Sequence, residues 1–159
     1  MRMVLIFGGL LVLLVLLALG LLAQNFIVFD DVDIKSAGYY QMSNLLAEEN
    51  PRYDIPLGAD LVHPENAKDV MPAFVFMHGS SGRLYRHQQY LELARELGFV
   101  TLQLDSFGGR GISSTVGSQT EVTAAMMAVD ALRALKYLAE RPDIDAGKIV
   151  IMGSSKGAI

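Results

Sequence analysis

Gly153-Ser154-Ser155-Lys156-Gly157 stands directly after the apolar, mostly β-branched run Ile149-Val150-Ile151-Met152. No other feature limits the fold of this chain as tightly. A G-x-S-x-G pentapeptide in that context predicts a strand, a sharp turn carrying the serine, and then a helix. The glycines two residues either side of the serine are needed because side chains there would collide with the neighbouring strand and helix. Ser155 on such a turn is a candidate nucleophile. The N–H of Lys156, the next residue, would point at a developing oxyanion near a helix N-terminus, where negative charge is favoured. In folds with this turn an acid and a histidine follow the serine in the chain. None follows Ser155 in the 159 residues. Two expectations result: the N-terminal part of a longer enzyme, or a protein that cannot complete a triad.

Upstream, element types alternate. Residues 55–62 read as a strand closed by His63-Pro64, and 73–77 as a continuous apolar strand buried on both faces. His78-Gly79-Ser80-Ser81-Gly82 is a glycine-rich loop. Residues 85–97 have helical spacing (Tyr90, Leu93, Ala94, Leu97) and stop at Gly98. A strand over 99–104 leads into the loop from Asp105 to Gly111. A long helix is expected over 119–140, with Val122, Met126, Val129, Leu132, Leu135 and Leu138 along one side and Pro142 limiting it. The last strand is expected over 148–152. This alternation predicts an α/β fold with a mostly parallel sheet, right-handed crossovers and flanking helices. Residues 24–54 are the least readable, with weak helical character over 37–49.

Three loops thus lie at the carboxyl ends of successive parallel strands, the edge where open α/β sheets build their sites. The second oxyanion donor is expected from the His78–Gly82 loop, with Ser80 N–H first and Ser81 next. His78 and Gly79 read as supporting residues that organise this loop, and Asp105 as organising its own through Asx-type hydrogen bonds. Arg110 is expected to pair with Asp105 or to lie near an anionic substrate, with a structural role favoured. Of the three histidines, His63 and His87 read as surface residues. All three precede Ser155, so a local triad has the wrong chain order. A serine–lysine dyad through Lys156 is conceivable, but a residue next to the serine normally points away, and its N–H serves whatever its side chain.

Residues 4–23 contain no charge and no side-chain hydrogen-bonding group. As a helix they would span about 30 Å, the thickness of a bilayer's hydrocarbon core. Arg2 and the amino terminus make the preceding flank positive, with Asp30, Asp31 and Asp33 on the other side, and the positive flank favours the N-terminus inside and the rest outside. Residues 1–25 therefore read as a membrane anchor or a signal peptide, with length favouring the anchor. Residues 26–54 read as a linker and 55–159 as the α/β domain. Either reading of the first segment places the domain outside the cytoplasm, membrane-anchored or exported. Removing Arg2 leaves 12 of the 13 Lys and Arg against 17 Asp and Glu. This acidic balance gives no reason to expect nucleic-acid binding. With no cysteine, disulfides, thiolate metal sites and a cysteine nucleophile are excluded from these residues. A nucleotide site is disfavoured, because no G-x-G-x-x-G or Walker A loop follows a strand.

From about residue 71 onward the chain resembles the α/β-hydrolase superfamily, and within it dienelactone hydrolase-like proteins. The resemblance rests on Phe74-Val75-Phe76-Met77-His78-Gly79-Ser80-Ser81-Gly82, on Leu104-Asp105-Ser106-Phe107 with Arg110-Gly111, and on Arg141-Pro142-Asp143-Ile144-Asp145 leading into 148–153. It covers somewhat over half of the chain. It implies an eight-stranded sheet of which the C-terminal half is absent here, a triad centred on serine or cysteine, and hydrolysis of a small-molecule ester or lactone without metal or organic cofactor. Dienelactone hydrolases proper use cysteine. Ser155 in that position points instead to a serine esterase-like enzyme, with a peptidase or acyltransferase on the same scaffold as the alternative. A non-catalytic membrane-tethered module is the rival from another class. The 159 residues alone are expected to be inactive and poorly behaved, because the last strand would present an exposed apolar edge.

Overall fold

The computed structural model describes residues 32–39, 41–47 and 54–158. The anchor or signal expected over 4–23 lies outside them. Among the described residues no helix is long and apolar enough to cross a membrane. Their strands are β1 (Ile34–Ser36), β2 (Ile55–Val62), β3 (Met71–Met77), β4 (Val100–Asp105) and β5 (Ile144–Gly153), and their helices α1 (Met42–Leu46), α2 (Gln88–Glu96) and α3 (Ala124–Ala139). The strands form one mixed sheet in the order β1-β2-β4-β3-β5. β2 runs antiparallel to β1 and β4, whereas β3 is parallel to both β4 and β5.

Order and register decide where the helices go. The chain leaves β3 for β4 on one side, then returns across β3 to lay β5 on the other. Two right-handed crossovers in opposite directions must cover opposite faces of the sheet. Side chains confirm it, because successive strand residues face opposite ways. One face carries Phe76, Thr101 and Gln103. Here Phe76 stacks on Tyr90 at 5.8 Å, Arg95 of α2 donates to Thr101 Oγ1 at 3.0 Å, and Gln88 Nε2 to Gln103 Oε1 at 3.0 Å. The other face contributes Val75, Met77, Leu102 and Leu104 to the main core, with Met127, Ala134 and Leu138 of α3. β3 is the strand at which the order reverses, so its carboxyl end is the switch point where such sheets place ligands.

Several elements differ from the sequence expectations. α1 is only a short turn of helix (Met42–Leu46) within the weakly helical 37–49 stretch. Tyr85–His87 is a 3-10 turn that leads into α2. α3 begins at Ala124, not near residue 119, because Thr123 caps it by accepting the Met126 N–H at 3.3 Å. Residues 115–121 spend their backbone groups on turns, Ser118 N–H to Thr115 O and Glu121 N–H to Ser118 O. The buried side of α3 is Ala125, Met127, Val129, Asp130, Ala134 and Leu138, while Leu132 is 53% exposed. Of the expected stripe, Val122, Val129 and Leu138 are buried, and the buried side also takes in the carboxylate of Asp130. His87 is buried under Phe76, with ring centroids 4.8 Å apart, and is not a surface residue. Burial first, then the charges of Arg86 and His78, push its imidazole below its ordinary pKa. A neutral ring fits its Nδ1, which accepts the Leu84 N–H at 3.2 Å. His63 is partly exposed and bonds Asp143 Oδ2 at 2.8 Å.

Asp130 organises the polar part of the interior. Arg110 grips it bidentately, at 2.9 Å and 2.8 Å, and also donates to Ser106 O at 2.6 Å. Ser36 of β1 donates its hydroxyl to the same carboxylate. Arg110 therefore pairs with Asp130 and not with Asp105 or a substrate anion. One buried ion pair ties β1, the loop after β4 and the middle of α3 together. At the far end of the sheet Arg141 holds Asp143 at 2.9 Å and 3.0 Å and reaches Tyr137 Oη at 3.1 Å. Asp143 O accepts the Met71 N–H at 2.9 Å, which aligns β3 with β5.

Removing one member of a buried pair leaves the other charge without compensation. Asp130→Ala is expected to cost about 3–5 kcal/mol in urea unfolding of the folded protein, and Asp130→Leu with Arg110→Met considerably less. The Asp143 carboxyl is lowered to about 2, first by the hydrogen bonds from Arg141 and then by that with His63. A depressed carboxyl stabilises the fold above its unfolded pKa and loses that contribution as pH falls through the folded value. Asp143→Asn should therefore lower stability at neutral pH. It should also flatten the part of the acid-unfolding curve between about pH 4 and pH 2, measured by circular dichroism.

Candidate active site

The elbow is built where β5 runs out. Ser154 N–H donates to Met77 O at 3.0 Å, the last link between β5 and β3. Ser155 then takes φ +53°, the only left-handed non-glycine residue among those described. That conformation brings the beta carbon of an L-residue too close to its own backbone and costs about 1–2 kcal/mol. The turn closes as Gly157 N–H donates to Ser154 O at 3.0 Å, opening the short 3-10 segment Ser155–Ala158. The Lys156 N–H between them lies outside both hydrogen bonds.

The two flanking glycines are there for close approach. A methyl group on Gly157 would sit 2.5 Å from Met77 O and 2.6 Å from His78 O, against the end of β3. One on Gly153 would run into the Gly157 carbonyl and the Ala158 nitrogen. Both obstacles are backbone, so neither can swing aside. The His78–Gly82 loop touches the same turn: a methyl group on Gly79 would lie 2.9 Å from Ser154 O and 3.1 Å from Ser155 Cβ. Ser80, the following residue, is therefore carried by a loop that abuts Ser155.

His78 holds that loop. It is fully buried, with Nδ1 2.9 Å from Gly79 O and Nε2 accepting the Ser106 N–H at 3.1 Å. This pattern fixes the tautomer with the proton on Nδ1, donating to Gly79 O. The ring stands edge-on to Phe107 at 4.4 Å. One imidazole thus joins the loop after β3 to the loop after β4. Asp105 Oδ1 accepts from Phe107 N at 2.9 Å and Gly108 N at 3.0 Å, an Asx-type turn. Its carboxyl is held well below the usual carboxylate range by the His78 ring, the Phe107 and Gly108 N–H groups and the Arg83 charge. Of these the ring contributes less than its proximity suggests. Nε2 lies 3.7 Å away and is already an acceptor, so the backbone donors dominate. No hydrogen bond or ion pair joins Asp105, His63, His78 or His87 to Ser155 among the described residues.

The Lys156 side chain does not point into solvent. It is 7% exposed, and Nζ donates to Gln119 O at 2.7 Å and approaches Thr115 Oγ1 at 3.4 Å. Burial lowers its pKa. The sequence reading missed this anchoring segment before α3, and it missed Asp130. A lone Asp in the middle of the apolar 124–139 helix was the available signal for the second. The first had none, because loop contacts of this kind leave no periodic trace.

No protein-family model matches the chain, and no curated protein does. Solved structures do. Est1E from Butyrivibrio proteoclasticus, with ferulic acid bound, is 23% identical with a TM-score of 0.54 over 65% of this chain and 40% of its own. A thermophilic esterase from Thermogutta terrifontis, Est2, with butyrate bound, is 20% identical with a TM-score of 0.50 over 77% of this chain and 41% of its own. A protein from Klebsiella pneumoniae assigned as a dienelactone hydrolase is 17% identical with a TM-score of 0.51 over 81% and 50%. The mixed sheet with its flanking helices is therefore an incomplete α/β-hydrolase fold. Its neighbours are esterases and a dienelactone hydrolase, the group the sequence resembles. The chain spans 40% to 50% of the lengths of these three neighbours.

The strain at Ser155 has a measurable consequence. Ser155→Gly should unfold at higher urea than Ser155→Ala, by about 1 kcal/mol, since only glycine enters the left-handed region without penalty. Equal midpoints would mean that the turn carries no strain.

Proposed function

We propose that this chain belongs to a serine hydrolase that cleaves small-molecule ester or lactone bonds. The observation that carries the reading is Ser155 at φ +53° between two glycines that only backbone contact explains, facing the His78–Gly82 loop. A strained strand-to-helix serine is a costly local structure, and such strain collects at functional sites. The esterases among the structural neighbours support the same class of bond.

In this reading Ser155 Oγ attacks the acyl carbon. A histidine from outside the described residues, oriented by a carboxylate, removes the hydroxyl proton and returns it to the leaving alcohol. The tetrahedral oxyanion rests on the Ser80 and Lys156 N–H groups, each worth about 3–4 kcal/mol in the transition state. Water then attacks the acyl-serine and releases the acid, regenerating the hydroxyl. His78 and Asp105 support the loops, as their hydrogen bonds suit them to do. No step calls for a metal or an organic cofactor. Residues 4–23 would anchor or export the domain, placing it outside the cytoplasm.

A fluorophosphonate probe applied to the complete translation product tests the assignment. Labelling is expected on Ser155 and should vanish in Ser155→Ala while the variant stays folded by circular dichroism. Undiminished labelling of Ser155→Ala would refute it.

A further inference from the structure

We propose that the Lys156 ammonium is a positioning group that sets the two oxyanion donors against each other through the segment 114–119. The inference rests on the reading of Ser155 as nucleophile, and it assigns a role to a side chain that the backbone mechanism leaves idle.

Burying an ammonium is costly unless its hydrogen bonds are replaced. Here the replacements are a main-chain carbonyl and a hydroxyl, Gln119 O at 2.7 Å and Thr115 Oγ1 at 3.4 Å. Among the described residues no carboxylate pairs with it. Those same residues hold Ser80. Thr115 N–H donates to Ser80 O at 2.8 Å, Ser114 Oγ donates to Ser80 O at 3.1 Å, and Ser80 Oγ donates to Gln119 Oε1 at 3.0 Å. Thr115, fully buried, is common to both ends. A continuous path therefore runs from Lys156 Nζ through Thr115 and Gln119 to both the carbonyl and the hydroxyl of Ser80. Its two ends are the residues whose N–H groups form the proposed oxyanion hole. A lysine that only filled space would not need its partners to be the residues that grip Ser80. Oxyanion stabilisation depends on donors fixed before charge develops, so a brace between them acts on the transition state more than on substrate binding.

The test uses the complete protein, a short-chain aryl ester and the fluorophosphonate probe. Lys156→Met keeps the backbone N–H and the stem but removes the charge. It should lower kcat about 10- to 100-fold, the penalty of a displaced catalytic group, with KM within about 2-fold. Lys156→Arg should recover most of the loss. Ser114→Ala, which removes the exposed hydroxyl that shares the Ser80 carbonyl with Thr115 N–H, should lower kcat about 3- to 10-fold, with no more loss of stability than a single hydrogen bond accounts for. In the Lys156→Met background it should cost less than about 2-fold more, because the path is already broken. Additive losses in this cycle, or an unchanged kcat in Lys156→Met, would overturn the proposal. If Lys156→Met does not fold, Gln119→Ala, which keeps the carbonyl that accepts from Lys156 Nζ but removes the side chain that accepts from Ser80 Oγ, decides together with Ser114→Ala: an unchanged kcat in both overturns the brace. Wild-type protein that neither turns over ester nor takes the probe would instead overturn the nucleophile reading on which the brace depends.

Discussion

The contact between Gly157 and the carbonyls of Met77 and His78 is the constraint on which the rest of the site depends. Backbone meets backbone there, with no room for a side chain. It locks the turn after β5 onto the end of β3, the strand where the sheet order reverses. Ser155 is left-handed because the chain must turn back within one residue to make that contact. The His78–Gly82 loop begins at the same carbonyls, so its approach to Ser155 follows from the same packing. Ser155 and the start of the His78–Gly82 loop are thus brought together by backbone packing at the ends of β3 and β5.

Around that contact the loops are held by groups with their polar partners nearly all satisfied. His78 joins two strand ends with both ring nitrogens used. Asp105 closes the turn after β4. Arg110, gripped by Asp130, fixes the same loop to α3 and, through Ser36, to the antiparallel edge. At the opposite edge β5 shows Val150 and Ile151, 47% and 38% exposed, and among the described residues no strand pairs with that side. Apolar strand edges of this kind invite pairing.

Much of this was legible in the sequence because it is periodic or obligatory. Residues 55–62 were read as β2 with the observed bounds, since Pro64 stops the strand. The apolar runs gave β3 and β4 to within two residues, and Gly98, at φ +86°, ends α2 as its position suggested. The antiparallel direction of β2 was not written in any pattern, because direction is decided by which neighbour the strand finds. The site glycines were legible for a physical reason: only glycine fits a backbone contact. What stayed hidden was long-range polar pairing. Nothing local distinguishes an exposed Arg110 from one paired with Asp130, or an exposed Lys156 from one reaching Gln119. His87 was misjudged because its polar neighbours Arg86 and Gln88 hide a ring turned under Phe76.

Trapping the acyl-enzyme would show which side chain attacks the ester. The complete protein would be mixed with a slowly released aryl ester, quenched in acid during turnover, digested and analysed by mass spectrometry. An added acyl mass is expected on the peptide containing Ser155, appearing with the burst of phenolate and disappearing as turnover ends. Ester turnover with no acyl group on Ser155, or with the acyl group on another residue, would contradict the assignment of Ser155 as the nucleophile.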